Sequence, residues 1–328
     1  MKAILVNPTD KSLSWENVPD PVLAEDEVLV EIHYAALNRA DLMQRAGDYP
    51  PPPGCPEWMG LEISGVIVEM TEGAKAKSNW KIGDQVCALL GGGGYAEYVS
   101  IKYDMLMPVP EGISLMEAAC MPEAFATAYL NLFYVGDIKA GDTLLMHAGA
   151  SGLASVIIPM AKAFGARVIT SVQTKKQRDA ILGLGADAII CQEEEDVVTA
   201  LERITKDGTI DVAIDCLGAK MMGESMPYMS FGGRWIMIAT LAGDMTQVDL
   251  KLMYKKNLRI IGSTLRSKTP QMKAEILAGL VKTVWPKVTS GEVRATLYKA
   301  LPVQQAEEAH AILQRGENVG KVVLVVKE

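Results

Sequence analysis

The sequence predicts an α/β protein in which a doubly wound parallel-sheet domain is inserted into a β-rich domain. Three observations lead there. The first is the segment Thr143-Leu-Leu-Met-His-Ala-Gly-Ala-Ser-Gly-Leu-Ala-Ser155. Its apolar start, small-residue centre and helical continuation through Ile157, Met160, Ala161 and Phe164 read as a buried strand, a tight turn and a helix. The second is a run of short apolar stretches, Arg167–Val172, Ala188–Cys191, Val212–Leu217, Trp235–Ile238 and Leu258–Gly262, mostly separated by helical patterns such as Lys175–Leu184 and Asp196–Thr205. Alternation of that kind implies a parallel sheet covered on both faces. The third is a change of texture. Strand-like Val28–Ile32, Ile63–Val68 and Val86–Leu90 lie among Gly- and Pro-rich turns, with little helical pattern before Leu115, and Val322–Val326 supplies a further strand at the far end. The last segment therefore completes the first domain. The expected division is 1–121 with 265–328 for the β-rich domain, and 122–264 for the inserted one.

The turn after the first strand of the inserted domain is the candidate nucleotide site. Gly149 and Gly152 let the backbone approach a pyrophosphate, and the helix that follows points free N–H groups at it. The same small residues also serve packing in turns that bind nothing. At the end of the next strand an NAD site places an acid on the ribose 2′-OH. This chain has Ser171-Val-Gln-Thr-Lys-Lys176 there, with Thr174, Lys175 and Lys176 able to donate to a 2′-phosphate or offset its charge. That pattern points to NADPH, the alternative being that both lysines form an ordinary solvated helix start.

Composition narrows the class. The 328 residues suffice for two domains, 22% of them are charged, and the net charge of −8 argues against nucleic acid or an anionic membrane as main partner. Met1–Pro8 reads as a strand that breaks at a proline, not as a signal peptide, and no apolar run is long enough to span a bilayer. The five cysteines form no CxxC pair, which suits buried free thiols in a reducing cytoplasm. Of three histidines, His147 directly precedes the glycine turn, where a hydrogen-bonded core role is expected. Pro50–Gly54 should stiffen a surface loop, and Gly91–Gly94 should form a tight turn.

Seven motifs in order extend over essentially the whole chain: Ala36-Leu-Asn-Arg-Ala-Asp-Leu-Met-Gln-Arg45, Gly60-Leu-Glu-Ile-Ser-Gly65, Lys81-Ile-Gly-Asp84, Met107-Pro-Val-Pro-Glu-Gly112, Pro122-Glu-Ala-Phe-Ala-Thr-Ala-Tyr129, His147-Ala-Gly-Ala-Ser-Gly152 and Asn318-Val-Gly-Lys-Val-Val323. Together they resemble the medium-chain dehydrogenase/reductase superfamily and, within it, the zinc-free quinone oxidoreductases. The stretch from Asn38 through Tyr49 to Gly54 looks most like the p53-inducible-type NADPH:quinone oxidoreductases. The resemblance implies a Rossmann-type domain inserted into a GroES-like catalytic domain, in a homodimer or homotetramer. Apolar Trp235–Thr240 and Arg259–Thr264 are the expected pairing edge. The zinc alcohol dehydrogenases of the same superfamily place a Cys where this chain has Asn38, a His where it has Leu61, and a Cys or comparable ligand where it has Glu123. Asn38 and Leu61 are poor zinc ligands, so no metal is expected.

By the same resemblance the cofactor contacts fall on Asn38, Thr127, Ser151, Gly152, Lys176 and Asn318. Gly149, Leu153, Ser171, Thr174 and Gln192 complete the expected cofactor set. Tyr49, Asn38 and Ser151 are the candidates nearest the chemistry, with Tyr49 and Ser151 facing the acceptor. Gln192 stands where some relatives use a tyrosine on the 2′-phosphate. Asn38 as a strand–helix turn residue and Tyr49 as packing for the proline loop are the alternatives. The implied reaction is hydride transfer from NADPH to a quinone, or else to an enone or enoyl thioester; a nucleotide-binding protein of low turnover is a third possibility. Proximity is expected to dominate catalysis, with the proton coming from Tyr49 or water.

Overall fold

The computed structural model describes residues 1–206, 210–316 and 318–328. In chain order the strands are β1 (Lys2–Val6), β2 (Leu13–Asn17), β3 (Glu27–Ala36), β4 (Glu62–Met70), β5 (Gln85–Leu89), β6 (Tyr98–Lys102), β7 (Leu106–Pro108), β8 (Thr143–Met146), β9 (Arg167–Val172), β10 (Ala188–Cys191), β11 (Ile210–Asp215), β12 (Met229–Met237), β13 (Arg259–Gly262), β14 (Leu297–Pro302) and β15 (Lys321–Val325). The helices are α1 (Arg39–Ala46), α2 (Glu72–Lys77), α3 (Leu115–Ala118), α4 (Pro122–Tyr129), α5 (Ala154–Ala163), α6 (Lys175–Ile181), α7 (Val197–Thr205), α8 (Ala219–Ser225), α9 (Leu250–Lys256), α10 (Pro270–Thr289) and α11 (Ala306–Arg315). The chain divides into two compact units. One comprises Met1–Ala126, Thr269–Thr289 and Ala295–Glu328; the other comprises Thr127–Lys268 and Ser290–Arg294.

The first unit is built on a mixed sheet in the order β14-β15-β3-β4-β5-β7, with β6 also paired to β3 and a separate β1–β2 hairpin. Alternation along β3 buries Val28, Val30 and Ile32, the period-two signature of a strand with one face in the core. Gly92, Gly93 and Gly94 lie against Trp58–Gly60, with Gly93 and Gly94 N–H groups donating to Trp58 and Gly60 carbonyls at 2.9 and 3.0 Å. Their purpose is close backbone packing: a Cβ on Gly60 would stand 2.6 Å from the backbone of Gly94.

His310, on α11, is fully buried with its ring edge-on to Tyr95 at 5.9 Å, and neither ring nitrogen has a hydrogen-bond partner among the described residues. Burial, reinforced by the Arg45 charge, pushes its pKa down from 6.5 to about 4. A depressed histidine lets the unfolded chain take its proton first, so this contribution is intact above pH 6.5 and is lost as pH falls towards 4. His310→Leu should therefore stabilise the protein by about 1–3 kcal/mol at neutral pH, by removing two unsatisfied polar atoms. The advantage should grow by up to about 3 kcal/mol on acidification. Urea unfolding of both proteins at neutral and acid pH measures this; a pH-independent difference would sink the argument.

The second unit is a parallel sheet in the order β10-β9-β8-β11-β12-β13. That order reverses direction between β8 and β11, the switch point at which doubly wound sheets leave a crevice. β8 is buried along its whole length, as expected for a central strand covered on both faces. Helix starts follow local chemistry: Thr174 and Asp196 accept from the N3 amides of α6 and α7. One expectation needs correction. Trp235 is not at an edge, because β12 lies between β11 and β13 and the indole is buried against Asp215. Only β13 is an outer strand on that side. Among the described residues no helix is long and apolar enough to cross a membrane.

Candidate active site

In the first unit, β3 ends at Ala36 and the chain turns into α1, with Asn38 as the residue before the helix. Asp41, in the first turn of α1 and fully buried, accepts from the Asn38 backbone N–H (2.7 Å), the Gly60 N–H (3.2 Å) and the Tyr95 hydroxyl (3.1 Å). Burial raises its pKa to about 6, against the pull of those bonds and of the Lys321 charge. This arrangement anchors the turn that presents Asn38.

The Asn38 side chain belongs to a polar cluster. Its Nδ2 donates to Glu62 Oε1 at 3.0 Å, and its Oδ1 accepts from Lys321 Nζ at 2.7 Å. Lys321 also pairs with Glu62 Oε1 at 2.5 Å, and both residues are buried. The second Glu62 oxygen accepts the Glu123 backbone N–H at 2.8 Å. One carboxylate thus ties Asn38 just before α1, Lys321 on β15 and the N-terminal turn of α4. Glu123 is closely surrounded by protein yet keeps a solvent-accessible edge. Its pKa rises to about 7 through desolvation and then the Glu62 charge, with Lys321 and Lys273 opposing.

The cluster does not suit a zinc ion. Asn38 and Leu61 offer an amide and a hydrocarbon, the Asn38 oxygen already holds an ammonium, and Lys321 brings positive charge to the same carboxylate. Among the described residues no group of three or more His, Cys, Asp or Glu is arranged to hold a metal. Also in this unit, Tyr49 is half-buried in the loop after α1, and Asn318 Nδ2 donates to the Gly320 carbonyl at 2.7 Å, just before Lys321.

In the second unit the remaining candidates, Thr127 apart, gather beyond the C-terminal ends of three neighbouring parallel strands: Gly149, Ser151, Gly152 and Leu153 after β8, Ser171, Thr174 and Lys176 around the end of β9, and Gln192 after β10. The turn takes its left-handed residue at Ala148 (φ 57°). Gly149 is required by packing, since a Cβ there would stand 2.4 Å from Thr170 Oγ1. Ser151 Oγ accepts from the Ala154 N–H at 3.1 Å, and among the described residues the amides of Gly152 and Leu153 have no protein acceptor. Two N–H donors without a protein acceptor among the described residues, at a helix start, suit a phosphate, so this turn fits the pyrophosphate of a dinucleotide. Thr127 lies on α4, and its carbonyl accepts from Asn131 Nδ2 at 2.8 Å.

Two sequence expectations change here. Ser171 is fully buried and bonded to His147 Nδ1 at 2.8 Å, so its hydroxyl supports the strand and does not face a ligand. His147 also reaches Ser225 at 3.1 Å, and burial pushes its pKa down to about 4, the core role expected for it. Second, the end of β9 does have carboxylates beside it. Glu193, from the loop after β10, accepts the Lys175 backbone N–H at 2.8 Å, while Glu194 pairs with Arg178 (2.6 Å) and Lys175 (3.6 Å). Lys176 is exposed. Glu62, Lys321 and Glu193 were missed as site residues because each acts across strands that sequence spacing does not connect; Glu62 and Lys321 do sit inside two of the quoted motifs.

Residues 24–111 match the alcohol dehydrogenase GroES-like domain, and residues 152–282 match the family described as zinc-binding dehydrogenase. The chain belongs to the medium-chain dehydrogenase/reductase superfamily. It is similar to the quinone oxidoreductase of Rattus norvegicus, 25% identical over 308 residues that cover 93% of this chain and 91% of that protein. A probable quinone oxidoreductase of Schizosaccharomyces pombe is 26% identical over 95% of this chain and 92% of its own. The lovastatin diketide synthase of Aspergillus terreus is 26% identical over 93% of this chain, which spans 12% of that much longer protein. Among solved structures, an NAD-dependent alcohol dehydrogenase is 26% identical with a TM-score of 0.84 over 100% of both chains. Mycobacterial Rv1454c complexed with NADPH (24%, TM-score 0.87, 99% of this chain and 100% of that one) shares the fold. The protein is thus an oxidoreductase of the medium-chain type.

Proposed function

We propose that this protein is a cytoplasmic, zinc-independent reductase that transfers hydride from NADPH to a quinone. The observation that carries the reading is the Asn38–Glu62–Lys321 cluster: Asn38 occupies a position where the resemblance gives metal-dependent relatives a ligand, and its amide oxygen is already bonded to the Lys321 ammonium. Without a Lewis acid, activating an alcohol is hard, whereas an electron-poor acceptor needs no such help. The full-length quinone oxidoreductase relatives support the acceptor class. A second reading, an enone or enoyl thioester as acceptor, is favoured by the polyketide synthase relatives and by the fold shared with the CurK enoyl reductase (20% identical, TM-score 0.84, 99% of this chain and 98% of that one).

NADPH, when bound, supplies hydride from C4 of the nicotinamide. The turn at Gly149–Leu153 would hold the pyrophosphate, with Thr174, Lys176 and Gln192 on the adenosine side. Asn38, Thr127, Ser151 and Asn318 would contact the nicotinamide end, and Tyr49 would form a wall of the acceptor pocket. Glu193 competes with a 2′-phosphate for the Lys175 amide. It also places on this turn the kind of acid that favours NADH.

Oxidation rates of NADPH and NADH across quinones, enones and aldehydes test this reading. Quinones with NADPH should be fastest. Lys176→Ala should weaken NADPH alone, and Glu193→Gln should strengthen it. Tyr49→Phe should cost roughly tenfold or less in kcat/KM, and Tyr49→Ala more, mostly in KM. Equal use of NADH, or activity confined to enones, would overturn the corresponding half of the reading.

We further propose a homodimer, or a tetramer built from it, that pairs the outer strand β13. Its Ile260 is 41% exposed, and an open apolar edge is an aggregation liability that pairing removes. Light scattering should give a dimer for the native chain and a monomer for Ile260→Lys; a monomeric native chain would contradict it.

A further inference from the structure

We propose that Asn131 is a positioning residue whose side-chain amide fixes Thr127 for contact with the nicotinamide. This rests on the reading above, in which Thr127 meets that ring, and it names the residue that sets the threonine in place. Both residues belong to the second unit. Of the three α4 residues in that unit, Ala128 and Tyr129 are buried and only Thr127 keeps a solvent-accessible edge.

Directly after α4 the helix widens. Leu130–Val135 form a π-helical turn, closed by the Gly136 N–H donating to the Asn131 carbonyl at 3.0 Å, five residues back. Such turns are rare and are found mostly at functional sites. Gly136 is required there, because a Cβ would stand 2.4 Å from that carbonyl oxygen. Within the turn the Asn131 side chain is buried. Its Nδ2 donates to the Thr127 carbonyl at 2.8 Å, and its Oδ1 has no hydrogen-bond partner among the described residues. Packing alone would favour a hydrocarbon at this position, as at its buried neighbours Leu130 and Leu132, since an amide left half unpaired in the core costs stability. The role that distinguishes Asn131 from a leucine is the donor it places on Thr127, where the helix changes from a narrow to a wide turn. That bond limits the tilt of the Thr127 peptide and so directs the threonine side chain. Hydride transfer by proximity is sensitive to small displacements of the groups that orient the ring.

The test compares Asn131→Ser with Asn131→Ala. Both remove nearly the same volume, but a serine hydroxyl can donate to the carbonyl four residues back and alanine cannot. With NADPH, kcat/KM should fall about tenfold in the alanine variant and no more than about threefold in the serine variant. In a Thr127→Val background the two substitutions should have equal effects, because no threonine hydroxyl remains to be placed. A purely structural role predicts the same penalty in both backgrounds. Equal kcat/KM for the serine and alanine variants would overturn the proposal, and so would an alanine penalty undiminished beside Thr127→Val. If neither small variant folds, Asn131→Leu decides, since it restores volume without the donor; native kcat/KM in that variant overturns the proposal. A silent Thr127→Val in an active enzyme would remove Thr127 from the nicotinamide and the proposal with it. A native protein that reduces neither quinones nor enones would instead overturn the functional reading beneath it.

Discussion

Lys321→Met should destabilise the first unit by about 3–5 kcal/mol, the usual cost of leaving one member of a buried ion pair alone. Lys321 and Glu62 are 4% and 0% exposed, and Nζ stands 2.5 Å from the carboxylate and 2.7 Å from Asn38 Oδ1. The substitution keeps the length of the stem, so lost packing contributes little. What remains is a buried carboxylate with two N–H donors, Asn38 Nδ2 and the Glu123 amide, and no countercharge. Denaturant unfolding of the single variant measures the loss. The double variant Glu62→Gln/Lys321→Met should recover much of it, since a neutral amide needs no partner charge. If the double variant were as unstable as the single one, the deficit would come from packing and the ion pair would have no special weight.

Gly65→Ala should cost about 3 kcal/mol or more, at the upper end of overpacking effects, and should leave little folded protein. The Cβ would fall 1.9 Å from the Glu31 carbonyl oxygen and 2.9 Å from its carbon. Both are backbone atoms of β3 in a central strand pair, and a carbonyl in a ladder cannot swing away as a side chain can. Strands β3 and β4 would have to separate where they carry Asn38 and Glu62 to the site. Gly183→Ala is the control: nothing lies within 4 Å of its Cβ, so its effect should stay within about 0.5 kcal/mol. Thermal unfolding of the two variants side by side decides the matter; comparable midpoints would refute the steric account.

Most of the nucleotide-binding unit was legible in the sequence because its signals are local. β9 and β10 fall on the residues expected, and α6 and α7 begin beside their Thr174 and Asp196 caps, since apolar runs and caps are short-range physics. The strands that escaped notice are β2, which closes a local hairpin with β1, and β6, β7 and β14, which pair with β3, β5 and β15. β14 is largely exposed and is held by β15. β2 and β14 bury few of their residues and β7 is only three residues long, so none of these carries a sustained apolar run.

The site divides in the same way. Sequence by itself determined the doubly wound sheet and the strand–turn–helix at Gly149, because both follow from residue type at a given place in the chain, and its motifs carried the resemblance to the superfamily. Only the tertiary structure decided what those residues meet. It turned Ser171 inward to His147, brought Glu193 across from β10 to the start of α6, and set Lys321 against a carboxylate 259 positions earlier in the chain, at Glu62. The physical reason is that charge and hydrogen bonding act through space over a few ångströms. Sheet pairing, which places β15 and β4 on either side of β3, chooses which distant residues come that close.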